Sequence, residues 1–146
     1  MSGPANFPYP VPEYGSEPYW DACNERRLVM QQCGGCGKFR WQPAPLCTFC
    51  ADGNFIWAPV SGRGTIWTWT VITHPVHPAA IARVPYVVVE VEFEEQAGLR
   101  MLSNLIEADV DVIEIGAQIE VDYSEHPSGQ MLPVFRLATG WRHESD

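Results

Sequence analysis

Two cysteine pairs limit what this chain can fold into more than any other stretch of it: Cys33-Gly34-Gly35-Cys36, a ten-residue spacer, then Cys47-Thr48-Phe49-Cys50. A Cys-x-x-Cys turn points two thiolates at one ion while the amides of the turn face the sulfurs. Two such turns complete the tetrahedral four-sulfur set that Zn(II) favours. Four protein ligands leave no open coordination position, so Cys33, Cys36, Cys47 and Cys50 are expected to hold a structural zinc ion. The spacer has room for a short strand, Lys38-Phe39-Arg40-Trp41, and a rigid return through Pro43-Ala44-Pro45. This is the plan of a zinc ribbon, with Phe39, Trp41 and Phe49 expected as its small apolar layer.

A ribbon of that size cannot bury a core unaided, and the metal substitutes for missing apolar area. In a chain of 146 residues the larger, self-sufficient unit must therefore lie C-terminal to it. No apolar run approaches a membrane span. The N-terminus lacks the basic region and apolar core of a signal peptide. Four of the five cysteines belong to one metal motif rather than a disulfide framework, so a reducing cytoplasm is expected. The formal charge of -9 repels phosphate backbones and argues against a nucleic-acid partner.

Residues 1–15 alternate proline with Phe7, Tyr9 and Tyr14, which favours an extended arm over a helix. Ser16 is placed to cap a short helix running to about Arg26, with Tyr19, Trp20 and Cys23 on one face. Cys23 reads as a packed small hydrophobe. Leu28-Val29-Met30 then leads as a strand into the first knuckle, so residues 16–32 form a helix and lead-in strand and 33–58 the ribbon. From residue 59 to 140 the period is that of strands. They are expected at Gly64–Thr73, Tyr86–Phe93, Leu99–Ile106, Ile119–Tyr123 and Pro133–Leu137. Five strands, one long loop (His74 to Pro85) and a short irregular piece (Asp109 to Ile115) suit a small Greek-key barrel of the OB type. The fold class is mainly β, with residues 141–146 as a tail.

Catalytic motifs are scarce. His74-Pro75 and His77-Pro78 could supply a base and an acid on the barrel rim, though His-Pro pairs more often punctuate a turn. No Ser-His-Asp order, phosphate-binding glycine loop or His-Glu-x-x-His is present. Glu107, Asp109, Asp111 and Glu114 alternate with apolar residues and read as a solvated face. Arg63, between Gly62 and Gly64, joins Arg83 and Arg100 as the candidate contacts for the phosphates of an acyl-CoA.

Taken in order, Pro18-Tyr19-Trp20, the two knuckles, Pro59-Val60-Ser61-Gly62-Arg63-Gly64-Thr65-Ile66, Val84-Pro85-Tyr86-Val87 and Ile115-Gly116 resemble a known family over about residues 17–137. Its members join an N-terminal helix and a rubredoxin-like zinc ribbon to an OB fold, and were long catalogued as a domain of unknown function. The resemblance implies an accessory subunit that pairs with a thiolase-like or hydratase-like protein acting on acyl-CoA thioesters. One such pair resembles an aldolase that removes a steroid side chain by retro-aldol cleavage of a β-hydroxyacyl-CoA. On that reading the partner is a thiolase-like catalytic subunit in a heterotetramer, nothing catalytic carries over to this chain, and the four zinc ligands do. The competing readings are an enzyme using His74 or His77, a single-stranded nucleic-acid binder, and a rubredoxin-like electron carrier in which the four thiolates hold iron.

Overall fold

The computed structural model describes residues 8, 10–13 and 15–141. Most of the Pro- and aromatic-rich arm, and the tail beyond Trp141, lie outside the described residues.

Helix α1 spans Glu17–Asn24, opening with Pro18 in its first turn and burying Tyr19, Ala22 and Cys23. It stops short of Arg26, whose φ of 57° is left-handed and ends the helical run. Ser16 does not cap it with its side chain. The Ser16 hydroxyl instead turns back to Glu13, accepting from its amide at 3.0 Å and donating to its carbonyl at 2.9 Å. The backbone of Ser16 is already helical, at φ -100° and ψ -5°, and so departs from the extended conformation that capping normally uses.

The ribbon is a three-stranded antiparallel sheet of β1 (Val29–Cys33), β2 (Phe39–Arg40) and β3 (Phe55–Pro59), in the order β2-β1-β3. Strand β3 was not foreseen from the sequence. It pairs with β1 along its whole length, from Cys33↔Phe55 to Val29↔Pro59, and its closing proline sits at the end of an outer strand, where a missing amide is tolerated.

The second unit is a closed five-stranded barrel, ordered β4-β5-β6-β8-β7. Its strands are β4 (Arg63–Ile72), β5 (Tyr86–Phe93), β6 (Arg100–Leu105), β7 (Gln118–Glu125) and β8 (Met131–Leu137), each within a few residues of expectation. This is the OB-fold barrel. Strand β4 pairs with β7 at its start and with β5 along its length, with a register shift between Ile66 and Thr68 that bends it around the barrel. Closure brings backbones together at Gly62-Arg63-Gly64. A Cβ on Gly64 would strike the Glu92 carbonyl, and one on Gly62, at φ 76°, would strike Val121. Closure is completed by the one parallel contact, between β6 and β8 at Leu105↔Phe135.

Strand β5 shows how patterning builds the core: Val87, Val89, Val91 and Phe93 are buried while Glu90 and Glu92 are only partly covered. Ile66, Ile119 and Phe135 fill the same interior, and Tyr19, Cys23, Leu28 and Met30 from the helix and ribbon join it as one cluster. The units are also tied by hydrogen bonds. Gln96, in the β5–β6 turn, accepts from the Phe39 amide at 2.8 Å and donates to the Phe39 carbonyl at 3.0 Å. At the other end, Asn24 accepts from the Met131 amide at 2.9 Å, fastening α1 to the start of β8.

Cys23 is fully buried in that shared core, as a small hydrophobe would be. Burial pushes its thiol up to about 11, against a smaller opposing pull from its hydrogen bond with Tyr19. Burial also drives the Tyr19 phenol far above its ordinary range and the Tyr123 phenol up to about 12. A raised pKa in the folded state contributes stability that is present below the unfolded value and lost as pH rises through the folded one. Stability should therefore fall between about pH 9 and 11 as unfolded-state Cys23 ionises and the native thiol resists. Urea unfolding of Cys23→Ala over that range should show a shallower decline than the parent; identical slopes would contradict the assignment.

Candidate metal centre

The two knuckles sit where the ribbon strands end. Cys33 closes β1, and its amide donates to the Lys38 carbonyl at 2.9 Å, folding the first turn back on itself. In the second turn the Ala51 amide reaches the Cys47 carbonyl at 2.9 Å, the counterpart of the bond from Gly37 to Cys33 at 3.0 Å. Cys33 and Cys47 are buried, Cys36 and Cys50 exposed.

All four sulfurs lie within 4.8 Å of one another. Cys33 Sγ is 3.5 Å from Cys50 Sγ, and Cys36 Sγ is 3.7 Å from Cys47 Sγ. A tetrahedron with Zn–S bonds of about 2.3 Å has an edge of about 3.8 Å, so the sulfurs already fit the ion. Backbone amides prepare them as thiolates: Gly35 N and Cys36 N face Cys33 Sγ at 3.3 and 3.5 Å, and Phe49 N faces Cys47 Sγ at 3.4 Å. The Cys36 amide foremost lowers the Cys33 thiol, and the Phe49 amide foremost lowers Cys47 to about 6. The Asp52 amide pulls on Cys50 in the same sense, but the neighbouring sulfurs, Cys33 foremost, outweigh it and push Cys50 up to about 12. Four thiolates this close need a dication among them. The ribbon is a structural zinc site with four cysteine ligands, and when bound the ion supplies a crosslink and no open position for chemistry.

The apolar layer is smaller than expected. Phe39 and Trp41 pack against the shared core, but Phe49 is 56% exposed, with Lys38 Nζ 4.2 Å from its ring centroid. Phe49 lies in the second knuckle, outside the ribbon strands, with its amide committed to Cys47 Sγ.

The three arginines do not converge. Arg63 bonds Glu94 at 2.9 Å, which draws that carboxyl below its usual range, and Arg100 bonds Glu92 at 3.1 Å with its guanidinium 3.6 Å from the Trp67 ring centroid. Arg83 precedes β5, at the strand end opposite Glu92, and lines a cleft of about 1160 Å³ shared with Trp20, Trp41, Leu102 and His126. His77 caps the short 3-10 turn Pro78–Ala80, its Nδ1 accepting the Ala79 amide at 3.1 Å; His74 is exposed on the same loop.

Sequence reasoning passed over His126 and Arg40. His126 is 5% exposed, and its Nδ1 takes the Ser128 amide and meets the Ser128 hydroxyl, each at 2.9 Å. Those bonds, with Gly129 N to the His126 carbonyl at 2.7 Å, lock the β7–β8 turn. The His-Pro-Ser-Gly sequence of that turn was the available signal. Arg40 is equally buried.

Comparison with known proteins agrees with this architecture. Residues 20–55 match the model of the ChsH2 rubredoxin-like zinc ribbon domain, and residues 57–124 that of the ChsH2 C-terminal OB-fold domain. A solved structure described as an Ltp2-ChsH2(DUF35) aldolase superposes with a TM-score of 0.80 at 35% identity, covering 90% of this chain and 100% of that one. A probable enoyl-CoA hydratase alpha subunit from Thermomonospora curvata is 40% identical over 82% of this chain but only 36% of its own length. The chain thus spans about a third of that relative. A DUF35 domain-containing scaffold protein from Methanothermobacter thermautotrophicus is 34% identical, with 64% of this chain and 69% of that protein aligned. With its four-cysteine ribbon leading into a closed OB barrel, this chain belongs to the DUF35 family and carries the ChsH2 type of both domains.

Proposed function

We propose that this chain is a non-catalytic, zinc-stabilised subunit of an acyl-CoA enzyme, paired with a thiolase-like chain in a heterotetramer whose reaction is retro-aldol cleavage of a β-hydroxyacyl-CoA. What supports this reading most is the likeness to the aldolase structure, which extends over the whole of that chain at 35% identity. The metal set is closed, so the ion contributes architecture, and the His126–Ser128 contact is occupied in holding a turn. The reacting groups would lie on the partner. A steroid side chain is the acyl group we favour, since one hydratase relative, from Mycobacterium tuberculosis, is named for a pregnadiene carboxyl-CoA. No helix among the described residues is long and apolar enough to cross a membrane.

A second reading, an accessory chain for enoyl-CoA hydration, is favoured by the 40% identity to the hydratase alpha subunit. Co-expression with a thiolase-like chain, sizing with light scattering, and assay of the complex on β-hydroxyacyl-CoA and enoyl-CoA substrates separates the two. Co-elution with carbon–carbon cleavage of the β-hydroxyacyl-CoA to a ketone and a shortened acyl-CoA, the thioester intact, is expected. Water addition without cleavage would move the assignment to the hydratase, and full cleavage by this chain alone would sink the accessory role.

A further inference from the structure

The ribbon strands and knuckles contain two cations, Lys38 and Arg40, and one acid, Asp52. Lys38 is exposed and stacked on Phe49. Arg40 is 5% exposed, and its guanidinium makes one hydrogen bond, from Nε to Gln31 Oε1 at 2.7 Å, an oxygen that also receives the Ala44 amide at 2.8 Å. Both terminal nitrogens are inaccessible to solvent and without a hydrogen-bond partner among the described residues. A permanently charged group left so deep in a protein is costly unless an opposite charge lies near it.

Register relates Arg40 to the metal ligands. Arg40 stands opposite Gln31, and Gln31 opposite Trp57, so the three share one face of the ribbon sheet. Cys33, two residues from Gln31, is on that face as well, opposite Phe55. The Arg40 guanidinium carbon sits 4.9 Å from the Phe55 ring centroid. Arg40 is on β2 and Phe55 on β3, with β1 between them. The side chain therefore crosses β1 diagonally, from beside Gln31 toward the end where Cys33 enters the metal set. Four thiolates around one zinc dication carry a net charge of about -2. We propose that Arg40 is the buried counter-charge of the zinc–tetrathiolate centre, a positioning residue that acts through the field at the sulfurs and not by ligating the ion. Gln31 holds the guanidinium through Nε and leaves both outer nitrogens uncommitted.

The test compares zinc affinity of the full chain with Arg40→Gln, which removes the charge, and Arg40→Lys, which keeps it, by competition with a chromophoric chelator. Folding is followed by tryptophan fluorescence at each zinc concentration. Arg40→Gln should weaken zinc binding about 10- to 100-fold, the range found for groups behind the ligands, and Arg40→Lys should stay within about fivefold of the parent. Equal losses in both variants, or none in either, would overturn the proposal. A cycle with Cys50→His adds a readout that packing alone would not move. That change lowers the centre's negative charge by one, so Arg40→Gln should cost less there; an undiminished loss overturns the electrostatic role. If Arg40→Gln does not fold at saturating zinc, Arg40→Lys decides between the same two results.

Discussion

Removing the metal should melt the two knuckles and β2 while the barrel keeps its strands. A strong chelator, or Cys33→Ser at the buried first ligand, is expected to split thermal unfolding into two transitions, an early one reported by Trp41, directly after β2, and a late one by the barrel's Trp69. The reason is the division of apolar burial. The shared cluster contains Ile66, Val89, Val91, Phe93, Ile119 and Phe135 from the barrel, but from the stretch leading into the first knuckle it takes in Leu28 and Met30, and none of the fully buried large side chains comes from 34–54. That stretch has β2, two residues long, as its regular structure. Structural zinc in peptides contributes an apparent free energy on the order of 10 kcal/mol, comparable to the total stability of an ordinary domain. Far-UV circular dichroism and the separate tryptophans check the result. An apo protein melting in one step at the parent's temperature would show that packing alone holds the ribbon.

Phe135→Ala should be the most damaging single change in the barrel. The ring is fully buried, 5.9 Å from that of Phe93, and its backbone occupies the closing point, where it pairs with Leu105 on one side and Val121 on the other. Its carbonyl accepts the Ile106 amide at 2.8 Å, so a cavity here loosens the contact that makes the sheet a cylinder. Truncating a buried phenylalanine costs about 3 to 5 kcal/mol, a large share of a stability of about 5 to 15. Urea midpoints should shift accordingly, whereas Leu102→Ala, at a site 68% exposed, should change stability by no more than about 0.5 kcal/mol. A loss below about 1 kcal/mol at Phe135 would mean that the barrel collapses onto the gap.

These two regions were legible in the sequence for different reasons. The knuckles are written as covalent spacing, which no tertiary context can override, and β5 as strict alternation from Val87 to Phe93. Strand β3 was hidden because Phe55-Ile56-Trp57-Ala58-Pro59 is half-exposed and ends in proline, so it lacks both a clean period and an ordinary strand ending. Its existence depends on β1, a partner more than twenty residues away in the chain. The Ser16 cap failed because backbone geometry at the arm junction, not residue type, decides where that hydroxyl points. Arg40 looked like one cation in a short amphipathic strand; only register and the ring contact reveal that it reaches across the sheet to Phe55 on β3. The basic set of Arg63, Arg83 and Arg100 drew together residues that the barrel places at opposite ends of β5.

The Gln96 clasp on Phe39 bears on how other chains can approach the ribbon. An outer strand ordinarily presents unpaired amides and carbonyls on which a foreign strand can add itself. At β2 both polar groups of Phe39 are already taken by a side-chain amide from the barrel. The primary amide of glutamine donates and accepts from one planar group, so it satisfies the residue as a neighbouring strand would, yet offers no further ladder to extend. That side of the sheet is closed to strand addition, which guards against edge-to-edge aggregation. A catalytic partner would therefore have to read side chains on this border, not continue its hydrogen-bond ladder.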